Sequence, residues 1–212
     1  MQRTLSAILI ALSLTLAGCN DKDKAVAPPS PTALPTPPAA AFTNTDVTGL
    51  DYAKDFSLKD FNGKLRTMAD FKGKAVIMFF GYTQCPDVCP TTMTDLAAVM
   101  KQLGPQADKV QVLFVTVDPE RDTPEILSKY VPAFDPRFLG LRGDAAETTK
   151  IAKDYKVYYQ KQPGKEPGSY SMDHSAGLYI YDTQGRIRLF ARDAQDSAAM
   201  AHDLKILLSQ QT

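Results

Sequence analysis

Residues 74–103 read KAVIMFFGYTQCPDVCPTTMTDLAAVMKQL. Lys74 to Phe80 is a short apolar run of β-branched and aromatic residues, and it predicts a strand buried on both faces. From Thr91 to Leu103 the apolar side chains change to helical spacing, with Met93, Leu96, Ala97 and Met100 at i, i+3, i+4 and i+7. Between the two lies a loop, Gly81 to Pro90, holding Cys85 and Cys89. A buried strand that feeds a helix through a chemically reactive loop is a building unit of α/β domains, and such loops carry their sites.

Downstream the alternation continues. Val110 to Val117 predicts a second buried strand, and Thr123 to Tyr130 a helix with Thr123 as N-cap and Pro124 at the first helical position. Phe138 to Leu141 reads as a short strand, and Ala145 to Tyr155 as a helix that starts after Asp144. Val157 to Ser171 contains glycine and proline without a clear period and predicts an irregular insert. Gly177 to Tyr181 and Arg186 to Phe190, joined by a turn at residues 182–185, predict an antiparallel hairpin. In the last segment Met200, Leu204, Leu207 and Leu208 form the stripe of a helix packed on a sheet. The order is that of a thioredoxin-like α/β fold: a central mixed sheet flanked by helices, with an irregular insert and a C-terminal hairpin plus helix.

At 212 residues the chain accommodates one domain with appendages. Lysine plus arginine and aspartate plus glutamate balance at 24 each, so there is no basic footprint for nucleic acid. At the N-terminus, Arg3 precedes an apolar run from Ala7 to Leu16 that closes in Leu16-Ala17-Gly18-Cys19. The run is too short to span a bilayer and has the form of an export signal. Its end resembles the bacterial lipobox, which implies cleavage before Cys19 and acylation of its thiol. Residues 20–41 are charged, then rich in proline and alanine, a composition that favours an extended tether over a core. The expected organisation is therefore 1–18 signal peptide, 19–45 lipidated cysteine and linker, and 46–212 the folded domain. It implies a lipid-anchored protein facing the periplasm, with the inner membrane favoured.

The four-residue spacing of Cys85 and Cys89 at a predicted helix start puts both sulfurs on one face, and the helix N-terminus favours their thiolates. A bridge across so short a loop restrains little chain entropy, so a purely structural disulfide explains the pair poorly. A redox dithiol and a metal site both remain. Two thiolates suit Cu(I), an added imidazole extends the site to Cu(II), and zinc would also accept the set. Of the two histidines, His202 falls opposite the apolar stripe of the last helix and reads as solvent-facing. His174, in Asp173-His174-Ser175 just before the predicted strand at Gly177, stands near the position where thioredoxin-like oxidoreductases place a proline facing their cysteines. Met93 belongs to the helix stripe, whereas Met172 lies two residues before His174 and is a thioether within the same segment.

Three blocks in order resemble the SCO/SenC copper-protein family: residues 81–90, Gly-Tyr-Thr-x-Cys-Pro-Asp-Val-Cys-Pro; residues 117–124, Val-Asp-Pro-Glu-Arg-Asp-Thr-Pro; and Asp173-His174-Ser175 followed by Leu178 to Asp182. The match runs from about Phe56 to Leu208. The resemblance implies a thioredoxin fold that binds one copper ion through Cys85, Cys89 and His174. It also implies help in loading the binuclear copper centre of cytochrome c oxidase, with that enzyme's copper-bearing subunit as partner. Asp87 matches the family's acidic residue between the cysteines, and it and Asp173, beside the histidine, are candidates for tuning the site or meeting a partner. Asp118 and Asp122 fall in the second block, where turn formation and helix capping are the expected roles.

The principal alternative is a periplasmic thiol-disulfide oxidoreductase that cycles Cys85 and Cys89. Metal binding needs the reduced pair, and an oxidising periplasm favours the disulfide, so the copper reading itself implies a thiol reductase partner. A peroxidase fits poorly at the site: the threonine that peroxiredoxins carry three residues before the reactive cysteine is replaced by Tyr82 or Pro86. Copper transfer by ligand exchange changes no covalent bond in a substrate, so the reading favours a carrier over an enzyme.

Overall fold

The computed structural model describes residues 41–210. Ten strands and four α-helices follow in order: β1 (Thr45–Asp46), β2 (Leu58–Asp60), β3 (Leu65–Arg66), β4 (Ala75–Gly81), α1 (Val88–Leu103), β5 (Val110–Thr116), α2 (Pro124–Tyr130), β6 (Leu139–Arg142), α3 (Ala145–Tyr155), β7 (Tyr159–Pro163), β8 (Tyr170–His174), β9 (Leu178–Tyr181), β10 (Ile187–Ala191) and α4 (Ser197–Ser209). Eight strands form one mixed sheet in the order β1-β10-β9-β4-β5-β6-β2-β3. Its centre is parallel, with Ala75 to Gly81 opposite Val110 to Thr116, and β9 joins the other edge of β4 antiparallel.

Every residue of β4 is buried, as its unbroken apolar run requires for a central strand. Successive side chains point to opposite faces. On one face Phe79 meets Phe114, which in turn meets Tyr130 of α2; on the other Phe80 meets Tyr155 at the end of α3, and Tyr179. Helix α1 packs against α4. The predicted stripe of α4 is inside, with Met200, Leu204, Leu207 and Leu208 all buried. Thr123 caps α2 through its side chain, and Asp144 with Glu147 forms a capping box on α3. At the chain entry, the buried Asp203 of α4 accepts the backbone N–H groups of Thr43 and Asn44, each at 2.8 Å.

Two expectations change. Helix α1 begins at Val88, before the predicted Thr91, because Pro90 falls in the first turn, where its missing N–H breaks no helical bond. The insert at residues 157–171 is not irregular: β7 and β8 form an antiparallel hairpin, with Tyr159 opposite His174 and Pro163 opposite Tyr170. Both glycines and Pro167 fall in its connection, where Gly168 takes φ +81° and Gly164 N–H bonds to the Ser169 carbonyl at 2.8 Å, while Pro163 ends β7. This hairpin is a two-stranded sheet of its own, separate from the eight-stranded one. His174 consequently ends a strand instead of sitting in a loop. Cys19, the signal segment and most of the linker lie outside the described residues.

Candidate metal centre

Cys85 sits in the loop between β4 and α1, partly exposed, while Cys89 is the second residue of α1 and fully buried. Gly81 at the end of β4 makes room for it: a Cβ there would stand 2.9 Å from Cys89 Sγ and 2.9 Å from the Phe114 ring. The Cys89 backbone N–H donates to Cys85 Sγ at 3.4 Å, and Cys89 Sγ lies 3.4 Å from His174 Nε2. Both thiols are free, and the three donor atoms lie within 4.8 Å of one another. Among the described residues no other cluster of three such ligands occurs.

The imidazole is oriented from several sides. His174 Nδ1 is 3.0 Å from the Ser175 carbonyl oxygen. A carbonyl only accepts, so Nδ1 carries the proton and the neutral ring turns the Nε2 lone pair toward the sulfurs. Tyr82 and Phe79 hold the ring in T-shaped contacts, with centroids 5.8 and 6.3 Å away. An open cleft of about 300 Å³, lined by Cys85, Val88, Met172, Asp173, His174 and Ala176, exposes the site. A larger cleft of about 630 Å³, bounded by residues 48–54 and 185–188, holds neither cysteine nor histidine. Two cysteine sulfurs and an imidazole lone pair converging beside one cleft fit a soft or borderline cation.

The two thiols are not equivalent. Cys85 accepts hydrogen bonds from the Cys89 thiol and from the backbone N–H groups of Asp87 and Cys89, and together these outweigh its burial and push its pKa down to about 5. Cys89 is pushed up because it keeps the proton it shares with Cys85 and because it is buried. Lowering the pH through about 5 therefore protonates Cys85, and above that pH it is a thiolate. In the metal-free reduced protein, alkylation of Cys85 should reach half its maximal rate near pH 5 and be flat from about pH 6 to 8, whereas an ordinary cysteine keeps climbing to about pH 8.5. Peptide mass mapping of alkylation against pH checks this. Cys89→Ala should move the midpoint upward, and a wild-type midpoint near the ordinary value would overturn the assignment.

The other residues singled out in the sequence divide. Asp87 holds the N-cap position of α1 but makes no side-chain cap; it is exposed, and what it gives the site is its backbone N–H. Asp173 alternates to the outer face of β8, exposed, and accepts from Gln162 Nε2 at 2.9 Å. Met172 is buried at the edge of the cleft, Met93 is fully buried in the core, and the His202 side chain is 54% exposed beside Asp203.

Asp122 is a correction: Thr123 caps α2, and Asp122 is wholly buried, accepting from Thr83 N–H at 3.0 Å, Thr83 Oγ1 at 2.6 Å and Thr116 Oγ1 at 2.6 Å. Its burial raises its pKa against the pull of those bonds. It fastens the cysteine loop to the end of β5. Asp118 forms the expected turn through its carbonyl, to which Arg121 and Asp122 donate, but its carboxylate pairs with Arg121 and accepts from the Tyr170 hydroxyl at 2.9 Å. Sequence reading missed Arg121 and Tyr170, although Tyr170 lies an even number of residues from His174, a signal that they share a strand face.

A family model described as SCO1/SenC matches residues 45–209. The chain belongs to this family. The SCO1/SenC match spans nearly all the described residues and includes all three candidate ligands. The mitochondrial protein SCO2 homolog of Bos taurus is 44% identical over 133 residues, 62% of this chain and 50% of that protein, so the chain spans about half the length of such relatives. A ScoI from Bradyrhizobium japonicum, solved with copper bound, superposes with a TM-score of 0.64 at 45% identity, covering 71% of this chain and 96% of that one. Apo Sco1 of Thermus thermophilus gives a TM-score of 0.70 at 38% identity, over 79% and 97%. These SCO1/SenC likenesses bear out the thioredoxin-like reading.

Proposed function

We propose that this SCO1/SenC-family chain is a copper metallochaperone that takes one copper ion through Cys85 Sγ, Cys89 Sγ and His174 Nε2 and delivers it to, or matures, the binuclear copper centre of cytochrome c oxidase. The observation that carries the reading is the convergence of those three donor atoms within 4.8 Å of one another, beside an open cleft that Cys85 and His174 line while Cys89 is buried. Copper is cargo here, and the soft donor set suits Cu(I), with the imidazole extending it to Cu(II). Copper-bound relatives with the same fold support it. In this reading the residues of the chain do the positioning. Ser175 and Tyr82 fix the imidazole, Asp122 fixes the loop, and the lowered pKa of Cys85 keeps one thiolate ready at neutral pH. Release follows when thiolates or imidazoles of the receiving subunit replace these ligands one at a time.

A second reading rests on the same inequivalence of the thiols. Cys85 thiolate would attack a partner disulfide, and Cys89 would then close the intramolecular bridge, passing two electrons and leaving the partner as a dithiol. The test is to mix copper-loaded full chain with the apo copper-bearing domain of the oxidase under anaerobic conditions. Appearance of the binuclear centre's absorption once a one-electron oxidant is added after transfer, absent with Cys85→Ser, supports delivery. Thiol-disulfide exchange with no copper transfer would instead favour the oxidoreductase.

The cell context we propose is a lipid anchor on Cys19, the periplasmic face of the inner membrane, and a thiol reductase that keeps the cysteine pair reduced. No helix among the described residues is long and apolar enough to cross a membrane. Cys19→Ser should release the protein from the membrane fraction; retention there would overturn the lipid anchor.

A further inference from the structure

The hairpin that carries His174 has no strand pairing with the main sheet, so something else must hold it against the cysteine loop. Its register shows what. Along β8, side chains at 170, 172 and 174 share one face and those at 171 and 173 the other; Met172 is buried and both Tyr170 and His174 are half-buried, while Ser171 and Asp173 are exposed. Tyr170 and His174 thus stand at the two ends of one inward face, roughly 13 Å apart along the strand.

Tyr170 is held by the 118–122 segment and by its own hairpin. Its hydroxyl donates to Asp118 Oδ1 at 2.9 Å, and its carbonyl accepts from Arg121 Nη1 at 2.8 Å. The Arg121 guanidinium lies 3.6 Å from its ring centroid and Lys161 Nζ 4.2 Å, so two cations flank the ring. Lys161 also pairs with Glu120 at 2.8 Å. The same Arg121 bonds Gln84 Oε1 at 3.0 Å, one residue before Cys85, and lies 5.7 Å from the Tyr82 ring that packs on His174. One residue of the hairpin is therefore tied through Arg121 to the loop that carries the cysteines.

We propose that Tyr170 is the positioning residue for His174: it locks the β7–β8 hairpin onto the 118–122 segment and so sets the imidazole within reach of the two sulfurs. This rests on the copper reading of the three-ligand site. Tyr170 touches no ligand atom, and its effect runs through the strand. Without it the hairpin keeps its internal pairing but loses its fixed seat on the domain.

The test is a double-mutant cycle in the full chain, reading Cu(I) retention against a chromophoric chelator, with amide hydrogen exchange of the metal-free protein as a second readout. Tyr170→Ala should weaken retention by about threefold to tenfold, up to but not beyond the effect of His174→Ala, because it acts only through the placing of that imidazole. It should weaken it no further in a His174→Ala background. Amides of β8 should lose protection while those of β4 and β5 keep theirs. Tyr170→Phe, which keeps the ring between Arg121 and Lys161 but loses the bond to Asp118, should fall between wild type and Tyr170→Ala. Wild-type retention in Tyr170→Ala, or an effect that adds in full to that of His174→Ala, overturns the proposal while leaving the site intact. If His174→Ala itself retains copper as wild type does, the three-ligand reading fails and the proposal with it.

Discussion

Cys89→Ser should weaken the hold on Cu(I) by about a hundredfold or more. The substitution is nearly isosteric and sits at the second residue of α1, so the fold has little reason to change. What changes is the donor: a soft, polarisable thiolate becomes a hydroxyl that Cu(I) ligates poorly and that stays protonated. Structural sites with four protein ligands take roughly 10–16 kcal/mol from a bound zinc ion, which puts a single thiolate near 3 kcal/mol, or about a hundredfold in affinity. Cys85→Ser should behave alike. His174→Ala should cost less for Cu(I), about tenfold, because two thiolates remain. Anaerobic competition against a chromophoric Cu(I) chelator orders the three variants, and retention by Cys89→Ser within about threefold of wild type would remove the buried thiol from the ligand set.

Asp122→Ala should be among the most destabilising single changes outside the apolar core, by about 3 kcal/mol, or a fall in melting temperature of roughly 10 °C. The carboxylate accepts from the Thr83 backbone N–H and from the hydroxyls of Thr83 and Thr116, and it is completely buried. Truncation leaves these donors facing a void, at roughly 1–3 kcal/mol for each one left unsatisfied. The hydroxyls can rotate toward other acceptors, but the backbone N–H is fixed by the loop, and relief of the buried charge recovers part of the loss. Asp122→Asn keeps an acceptor for Thr83 and should cost less. Because Thr83 lies two residues before Cys85, copper retention should fall together with stability. Thermal unfolding of the reduced, metal-free protein measures the effect; a change within about 0.5 kcal/mol would place Asp122 with ordinary surface residues.

These two residues also mark how far the sequence could be read. The unit β4, cysteine loop and α1 is legible because its strand is buried throughout and its helix keeps one apolar stripe, so both periods stand out. The β7–β8 hairpin is not, because β7 reads Tyr159-Gln160-Lys161-Gln162-Pro163, with no apolar face of its own, and its partner is separated from it by glycines and prolines. Strands β1, β2 and β3 are two or three residues long; β1 and β2 pair with the distant β10 and β6, and β3 folds back locally on β2. In the candidate site, Cys85 and Cys89 could be paired from their spacing, whereas His174 joined them as a ligand only through the family resemblance. Asp122 was read as a local cap because a sequence shows neighbours along the chain, and its partners Thr83 and Thr116 become neighbours only when β4 and β5 align in parallel. Tyr170 escaped notice for the same reason, as its contacts with Asp118 and Arg121 close over about fifty residues.

The most direct measurement is X-ray absorption at the copper edge on the reduced chain loaded with one equivalent of Cu(I), repeated on Cys89→Ser and His174→Ala. The account predicts a nearest shell of two sulfurs and one nitrogen, with one sulfur lost in the first variant and the nitrogen lost in the second. A shell with a single sulfur, or one that neither substitution alters, would contradict a copper site built from Cys85, Cys89 and His174.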